Sequence, residues 1–278
     1  MKIFYATDLH GHLWKYKKVL ELVKETNDID VVILGADILP KHIGSIFKKQ
    51  KEFIHNTLKD FLIEIEKPII IDIGNDDLEY VRKDFDKIIL EIENAHSSHM
   101  KEVVINDVSF IGYHNVGDYP FGLKDHVRRD EHRIADQHQL GVPVISTDEG
   151  FEDIPDLKEY LLGLNSIDED LELLPKPSKD KFVFIAHAPP RGVKLDVCMN
   201  FMEVGSWAIT NYIIDKKPMV SVHGHIHENY WKTDIYWSDL NQSICIQPGQ
   251  KGGFKSLVYC TFDLDDVENT IKRKEVSK

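Results

Sequence analysis

The chain has 278 residues, 42% of them hydrophobic and 10% aromatic, enough to bury one large α/β core or two small ones. Its 34 basic and 47 acidic residues give a formal charge of −13, which argues against non-specific binding to nucleic acid or to an anionic membrane surface. The three cysteines, Cys198, Cys245 and Cys260, have no patterned spacing and indicate neither a disulfide framework nor a thiolate zinc site. No signal pattern and no apolar run of membrane-helix length is found, so a soluble protein of the reducing cytoplasm is expected.

Lys2 to Thr7 reads as a short buried strand, since Ile3, Phe4 and Tyr5 favour pleated, half-buried positions. It ends in Asp8-Leu9-His10-Gly11, where residues i and i+2 point the same way, so that Asp8 and His10 can grip one cation. A helix is predicted from there to about Asn27, with Leu13, Val19, Leu20, Leu22 and Val23 as its apolar stripe. Asp30 to Leu34 is a second strand, nearly all apolar as a strand covered on both faces should be, ending in Gly35-Ala36-Asp37. Ile43, Ile46, Phe47, Ile54, Leu58, Phe61, Leu62 and Ile65 then fall at helical spacing, and Pro68 stops that helix. Ile69 to Ile73 is a third strand, ending in Gly74-Asn75-Asp76-Asp77, and a helix over about Glu79 to Glu93 follows.

The rhythm changes at Glu102 to Ile105 and Val108 to Tyr113, which flank Asn106-Asp107 as a tight hairpin. Residues 117–179 are polar, acidic and punctuated by five prolines, and read as an insertion or lid within a single domain rather than as core. Short helices are expected there near Asp125 to Gln139 and Ile154 to Leu162. Strand patterning returns at Lys181 to Ala186, ending in His187-Ala188-Pro189-Pro190. A helix near Ser206 to Asp215 leads to Met219 to Val222, which ends in His223-Gly224-His225-Ile226-His227. Ser243 to Gln247 and Ser256 to Asp263 look like a closing antiparallel pair, and the lysine-rich tail after Asn269 is expected to fray.

Five predicted strand ends therefore carry metal-ligand chemistry: Asp8/His10, Asp37, Asn75, His187 and His225/His227. Taken singly, each is as well explained as a cap or turn residue. Taken together, seven oxygen and nitrogen ligands exceed one tetrahedral zinc and suit two ions of octahedral preference sharing a carboxylate. Two divalent ions about 3.5–4 Å apart are a standard device for polarising a phosphoryl oxygen. Sites in open α/β sheets lie at such strand ends.

The ordered set D-x-H-G, G-x-D, G-N-x-D, H-x-P-P and G-H-x-H resembles the calcineurin-like metallophosphoesterases from Met1 to about Gly249. The stretch from Gly205-Ser206 through HGHIHE is similar to the cyclic-nucleotide-phosphodiesterase-like branch. The resemblance implies an α/β, four-layer αββα sandwich and a metal-activated hydroxide attacking phosphorus in line. By similarity, Asp8, His10 and His227 bind the first metal, Asn75, His187 and His225 the second, and Asp37 bridges. Two divalent ions are implied, with Mn²⁺ or Fe²⁺ favoured by the imidazoles and Zn²⁺, Ni²⁺ and Mg²⁺ as alternatives. The chain departs from the family in reading Gly35-Ala36-Asp37 for G-D, and in carrying Asp76 where the usual motif has a histidine that helps the leaving group. Asn75 and Asp76 are thus the candidate catalytic positions, and a phosphodiesterase the leading reading. A phosphomonoesterase or pyrophosphatase acting on nucleotides, and a non-catalytic binding scaffold, are the alternatives. The expected partner is a small phosphate ester, with no membrane contact and with homo-oligomerisation left open.

Other polar residues receive plainer expectations. Asp77 suits the N-terminus of the helix that follows it. His223 reads as a packed support for the ligand pair. His126, His132 and His138, spaced by six, fit no single-face metal site and are expected to be exposed. His12 and Arg191 are candidate substrate contacts, and Tyr230, Trp231, Tyr236 and Trp237 read as strand packing.

Overall fold

The computed structural model describes residues 1–26, 28–41, 44–131, 138–250 and 253–278. The chain begins with β1 (Lys2–Ala6), α1 (Leu13–Glu25) and β2 (Val31–Leu34). The next helical run comes in three pieces: α2 (Ile46–Glu52), a π-type segment (Phe53–Leu58) and α3 (Lys59–Glu64). After β3 (Ile69–Ile71) come a 3₁₀ turn (Glu79–Val81), α4 (Arg82–Glu91) and β4 (Ala95–His96). Asn27 and Ile43, which the sequence assigns to the first two helices, lie outside the described residues. The hairpin is β5 (Glu102–Ile105) and β6 (Val108–Tyr113), whose turn residues Asn106 and Asp107 both have positive φ, 47° and 62°. Such a turn matches the right-handed twist of the flanking strands.

The middle segment holds a small hairpin, β7 (Val144–Thr147) and β8 (Gly150–Asp153), and two helices, α5 (Leu157–Leu162) and α6 (Ile167–Glu172). Strand β9 (Lys181–Ala186), α7 (Trp207–Lys216), β10 (Val220–Val222), α8 (Asn229–Thr233), β11 (Trp237–Leu240) and β12 (Ser243–Ile246) follow. The chain ends with β13 (Ser256–Asp263), α9 (Val267–Thr270) and β14 (Lys272–Ser277).

Two six-stranded mixed sheets result, in the orders β14-β13-β1-β2-β3-β4 and β11-β12-β10-β9-β6-β5. Side-chain alternation sorts their residues into layers. Ile3 and Tyr5 of β1, Val31 and Ile33 of β2, and Val183 and Ile185 of β9 share the cluster between the sheets. Phe4 and Ala6 of β1 and Val32 and Leu34 of β2 turn outward onto Val19, Phe61 and Phe85 of the helices. On the other side Phe182, Phe184 and Ala186 of β9 pack with Ile209 and Ile213 of α7. The architecture is a four-layer αββα sandwich. Burial of this kind contributes about 1.5–3 kcal/mol per large apolar side chain.

Four sequence expectations need correction. Strands β12 and β13 are not partners: β12 runs parallel to β10, while β13 is antiparallel to β1 in the other sheet. The tail does not fray, because β14 pairs with β13 over six residues from Ser256↔Ser277 to Thr261↔Lys272. Its lysines suit a sheet edge, where charge discourages further pairing. The helix expected over 125–139 is absent from its described residues; Val127 instead bridges to Val116, and residues 132–137 lie outside the description. Finally, segment 117–179 is not wholly peripheral: Tyr119, Val127, Leu161, Ile167, Leu171 and Leu174 belong to the core outside the second sheet. Its α6 is started by a Ser166/Glu169 capping box that satisfies orphan N–H groups reciprocally.

A buried acid ties the two sheets together just below the strand ends. Asp72 follows β3 and accepts hydrogen bonds from Ser97 Oγ, from the Ser98 N–H and Oγ (both 2.9 Å), and from His114 Nε2 at the end of β6 (3.0 Å). Burial would raise its carboxyl, but His114 and Ser97 outweigh that and hold it below the usual range. A depressed folded pKa gives stability that is complete above the unfolded value of about 3.9 and is lost as pH falls through the folded one. Asp72→Asn is expected to cost roughly 2 kcal/mol at pH 7 and to flatten the acid limb below about pH 4. Denaturant unfolding of the two proteins across that pH range reads both effects; parallel acid limbs would show that Asp72 is not a source of the pH dependence.

Candidate metal centre

The ligand-bearing loops are fixed to one another before any side chain is considered. Asp8, His10 and Gly11 donate their backbone N–H groups to the carbonyls of Ala36 (3.0 Å), Asp37 (2.9 Å) and Ile38 (2.8 Å). The Asp76 N–H donates to Asp37 Oδ1 at 2.8 Å. Gly74 and Gly224 are required by close approach: a Cβ on Gly74 would stand 2.3 Å from Asp37 Oδ1, and one on Gly224 would stand 2.6 Å from Asp8 Oδ2. Behind the last loop, Gln247 Nε2 donates to the carbonyls of Gly224 (2.9 Å) and Ile226 (2.8 Å). Asp8 (φ 56°), His10 (48°), Asp37 (53°) and His225 (67°) all adopt the left-handed backbone region. Each such non-glycine residue costs of order 1 kcal/mol or more, and strain of this kind clusters at functional sites.

All seven candidate ligands converge. His10 Nε2 and His227 Nε2 lie 3.1 Å apart, and His227 Nε2 is 3.2 Å from Asp8 Oδ1. His187 Nε2 is 3.3 Å from Asp37 Oδ2 and 3.9 Å from Asp8 Oδ1. His225 Nδ1 lies 2.7 Å from Asn75 Oδ1, and the rings of His187 and His225 are 5.3 Å apart. Among the described residues, Asp8/His10/His227, Asp8/Asp37/His187 and His10/Asp37/Asp76 each place three donor atoms within 4.8 Å of one another.

The chemistry of this donor set fits divalent cations. His10 Nδ1 and both ring nitrogens of His187 are buried without a well-directed hydrogen bond, an arrangement that costs free energy unless another acceptor of lone pairs is present. Burial would raise the carboxyls of Asp8 and Asp37, yet His227, His187 and His10 around Asp8, and His187 and His10 around Asp37, hold both well below the usual range. Burial lowers His187, but Asp37 and Asp8 overcome it and push the imidazole up to about 9. His225 is pushed down to about 3 by burial and by His187. Asp8 and Asp37 are therefore held in the ionised form, and a cation binding at His187 would compete with a proton for the imidazole.

The remaining candidates fall as follows. His223 is fully buried, with Nδ1 3.0 Å from the carbonyls of both Ala186 and Ala188 and Nε2 2.9 Å from Ser221 Oγ, so it braces the loop as a packed support. His12 precedes α1 and its ring meets Phe254 at 6.4 Å, while the Arg191 guanidinium lies 5.9 Å over the Trp207 ring. Neither belongs to the three converging groups. Asp77 does not serve the following helix. It is buried and accepts from the N–H groups of Ile38 (3.0 Å), Leu39 (2.8 Å) and Gly74 (2.9 Å), so it clamps the Asp37 loop to the Asn75 loop. Burial and Asp37 push it up to about 8 against those donors. His138 is exposed, and His132 lies outside the described residues, but His126 is buried, with Nε2 3.0 Å from the Asp77 carbonyl. Tyr230 and Trp231 lie on α8 rather than on a strand, with the Arg273 guanidinium 3.7 Å over the Tyr230 ring.

Sequence reasoning missed Lys41 and Tyr119. Lys41 Nζ is 3.2 Å from Asp76 Oδ2 and 3.3 Å from His10 Nε2. The Tyr119 ring is 5.9 Å from that of His225. Nothing local marks either residue; only the folded loops bring them to the cluster.

No protein-family model matches the sequence, and no curated protein matches it. Solved structures do. The Thermus thermophilus protein TT1561 superposes with a TM-score of 0.58 at 15% identity, covering 98% of this chain and 97% of that one. A dimetal phosphatase from Danio rerio superposes with a TM-score of 0.51 at 13% identity, covering 94% and 91%. The fold is that of the calcineurin-like metallophosphoesterases. No helix among the described residues is long and apolar enough to cross a membrane.

Proposed function

We propose that this chain is a hydrolase of phosphoric esters that depends on two divalent cations and prefers diesters. The observation that carries the reading is the convergence of seven candidate ligand side chains from five strand ends of two sheets, with buried imidazole nitrogens of His10 and His187 left without hydrogen-bond partners. In this reading Asp8, His10 and His227 would hold one cation, Asn75, His187 and His225 the other, and Asp37 would serve both. The bound cations would supply Lewis acidity toward a phosphoryl oxygen and a water of lowered pKa. The chain's own residues fix the geometry: the Asp76 N–H and Gly74 hold Asp37 in place, and Gln247 holds the loop of His225 and His227. The likeness to a dimetal phosphatase supports the fold in which such a site would operate.

The diester preference comes from position 76. Burial and Asp37 raise the Asp76 carboxyl in the metal-free chain, whereas a bound divalent cation would favour its ionised form. So ionised, it would offer no proton to a departing alkoxide, a role worth about 10²–10⁴-fold in general acid catalysis. Good leaving groups should therefore react best. Diesters carry one negative charge, and a carboxylate at the mouth repels them less than it repels doubly charged monoesters. Segment 117–179, which brings Tyr119 to His225, would set substrate choice. The test is a Mn²⁺-loaded preparation assayed on bis(4-nitrophenyl) phosphate, 4-nitrophenyl phosphate, cyclic nucleotides and diphosphates. Metal-dependent turnover fastest on the diester is expected. Faster turnover of monoesters would remove the diester assignment, and no turnover of any ester with both metals bound would favour a binding scaffold.

A further inference from the structure

We propose that Lys41 is a substrate-binding residue: its ammonium, paired with Asp76, holds an oxygen of the bound phosphoryl group. The inference rests on the phosphoesterase reading above. Lys41 Nζ is shared between Asp76 Oδ2 at 3.2 Å and His10 Nε2 at 3.3 Å. Its side chain is 45% exposed and that of Asp76 31%, whereas those of Asp37 and His187 are 2% exposed or less. The pair thus lies on a solvent-exposed edge of the cluster.

A lysine ammonium has three N–H donors and no acceptor. One is used by Asp76. A second faces His10 Nε2, the same atom that faces His227 Nε2 at 3.1 Å. Coordination of a cation by either ring nitrogen of His10 would leave Nε2 coordinated or carrying the ring proton, so that it could not accept from Lys41 and the ammonium donor would be released at the edge of the metal centre. The released donor carries a full positive charge and suits an anionic oxygen. Asp76 keeps the flexible lysine stem in position, using a bond that leaves the other donors free. Lys41 in turn offsets part of the charge of a carboxylate that would otherwise meet the substrate alone. The two residues form one device: an ion pair whose free end is a hydrogen-bond donor.

The pairing also makes a specific statement about coupling. Removing Lys41 alone leaves Asp76 facing an incoming anion. Removing both leaves a site without the donor and without the repulsion. The two substitutions should therefore be non-additive, as expected of residues in direct contact.

The experiment compares Lys41→Met, Lys41→Arg and the double variant Lys41→Met/Asp76→Asn with the parent chain, each loaded with Mn²⁺. Metal content is read by elemental analysis, inorganic phosphate binding by calorimetry, and KM and kcat on bis(4-nitrophenyl) phosphate. Lys41→Met is expected to keep both metals and to bind phosphate about tenfold more weakly, with the loss falling in KM; this is the scale of one partly exposed charge-assisted hydrogen bond. Lys41→Arg should keep most of the affinity, and the double variant should recover part of what Lys41→Met loses. Phosphate affinity within twofold of the parent in Lys41→Met, with both metals bound, overturns the proposal. So does loss of a metal in that variant, since Lys41 would then act through the ligands. A parent chain that holds two metals yet neither binds phosphate nor cleaves an ester overturns this proposal and the phosphoesterase reading together, which separates the two failures.

Discussion

Asp37→Asn is expected to lower turnover of the metal-loaded protein by at least about 10²-fold, more than the 10–100-fold typical of residues that only orient a metal ligand. Asp37 is the carboxylate shared between both halves of the cluster: its Oδ2 lies 3.3 Å from His187, and its Oδ1 accepts the Asp76 N–H at 2.8 Å. The amide is nearly isosteric, so the clearance around Gly74 is kept and the fold should survive. What is lost is the charge. In the metal-free protein Asp37 is the chief cause of the rise of His187 to about 9 against the opposing effect of burial. A raised histidine contributes stability that is complete below its unfolded pKa of about 6.5 and is lost as pH rises through the folded value. Metal-free wild type should therefore lose stability between about pH 6.5 and 9, and Asp37→Asn should lose less over that window. Urea unfolding at several pH values with chelator present measures it. Equal losses in the two proteins would show that the pair does not couple as described.

Asp77→Ala is the substitution with the largest expected cost in stability among those outside the seven candidate ligands. Its carboxylate is the acceptor for three backbone N–H groups on two ligand-bearing loops. Leaving these donors buried and unpaired costs on the order of 3 kcal/mol, or roughly 5–10 °C in Tm for a chain of this size. Asp77→Asn keeps one acceptor atom and should recover only part of that. Because the clamp joins the Asp37 loop to the Asn75 loop, metal affinity should also fall, by about 10–100-fold. Calorimetric unfolding and a chelator competition give the two readouts. A Tm change below about 2 °C would mean that water replaces the carboxylate at these N–H groups.

The first three β-α units were legible because their strands are short apolar runs and their helices keep a clear stripe. Phe4 and Ala6 against Ile3 and Tyr5 show the alternation that places β1 between two cores. The polar strand ends stood out against those runs, which is why seven scattered residues could be named as one cluster. Less legible was what depends on distant partners. The tail sequence KRKEVS is charged and gives no apolar period, yet six pairs with β13 order it. Strands β12 and β13 each alternate well enough to pair with one another, and only the assembled sheets send them apart. Asp77 looked like the start of the following helix and His126 like an exposed residue because their partners, the backbone N–H groups near Ile38 and the carbonyl of Asp77, carry no sequence signature. Lys41 was hidden because only the folded loops bring it to Asp76 and His10.

The most direct measurement of the central claim is the metal stoichiometry of the wild-type chain. Metal-free protein is loaded with excess Mn²⁺, passed through a desalting column, and analysed for metal per chain, with Asp37→Asn treated in parallel. Two equivalents on the wild type and at most one on the variant are predicted. One equivalent or less on the wild type, or two on both proteins, would contradict a pair of cations held together by Asp37.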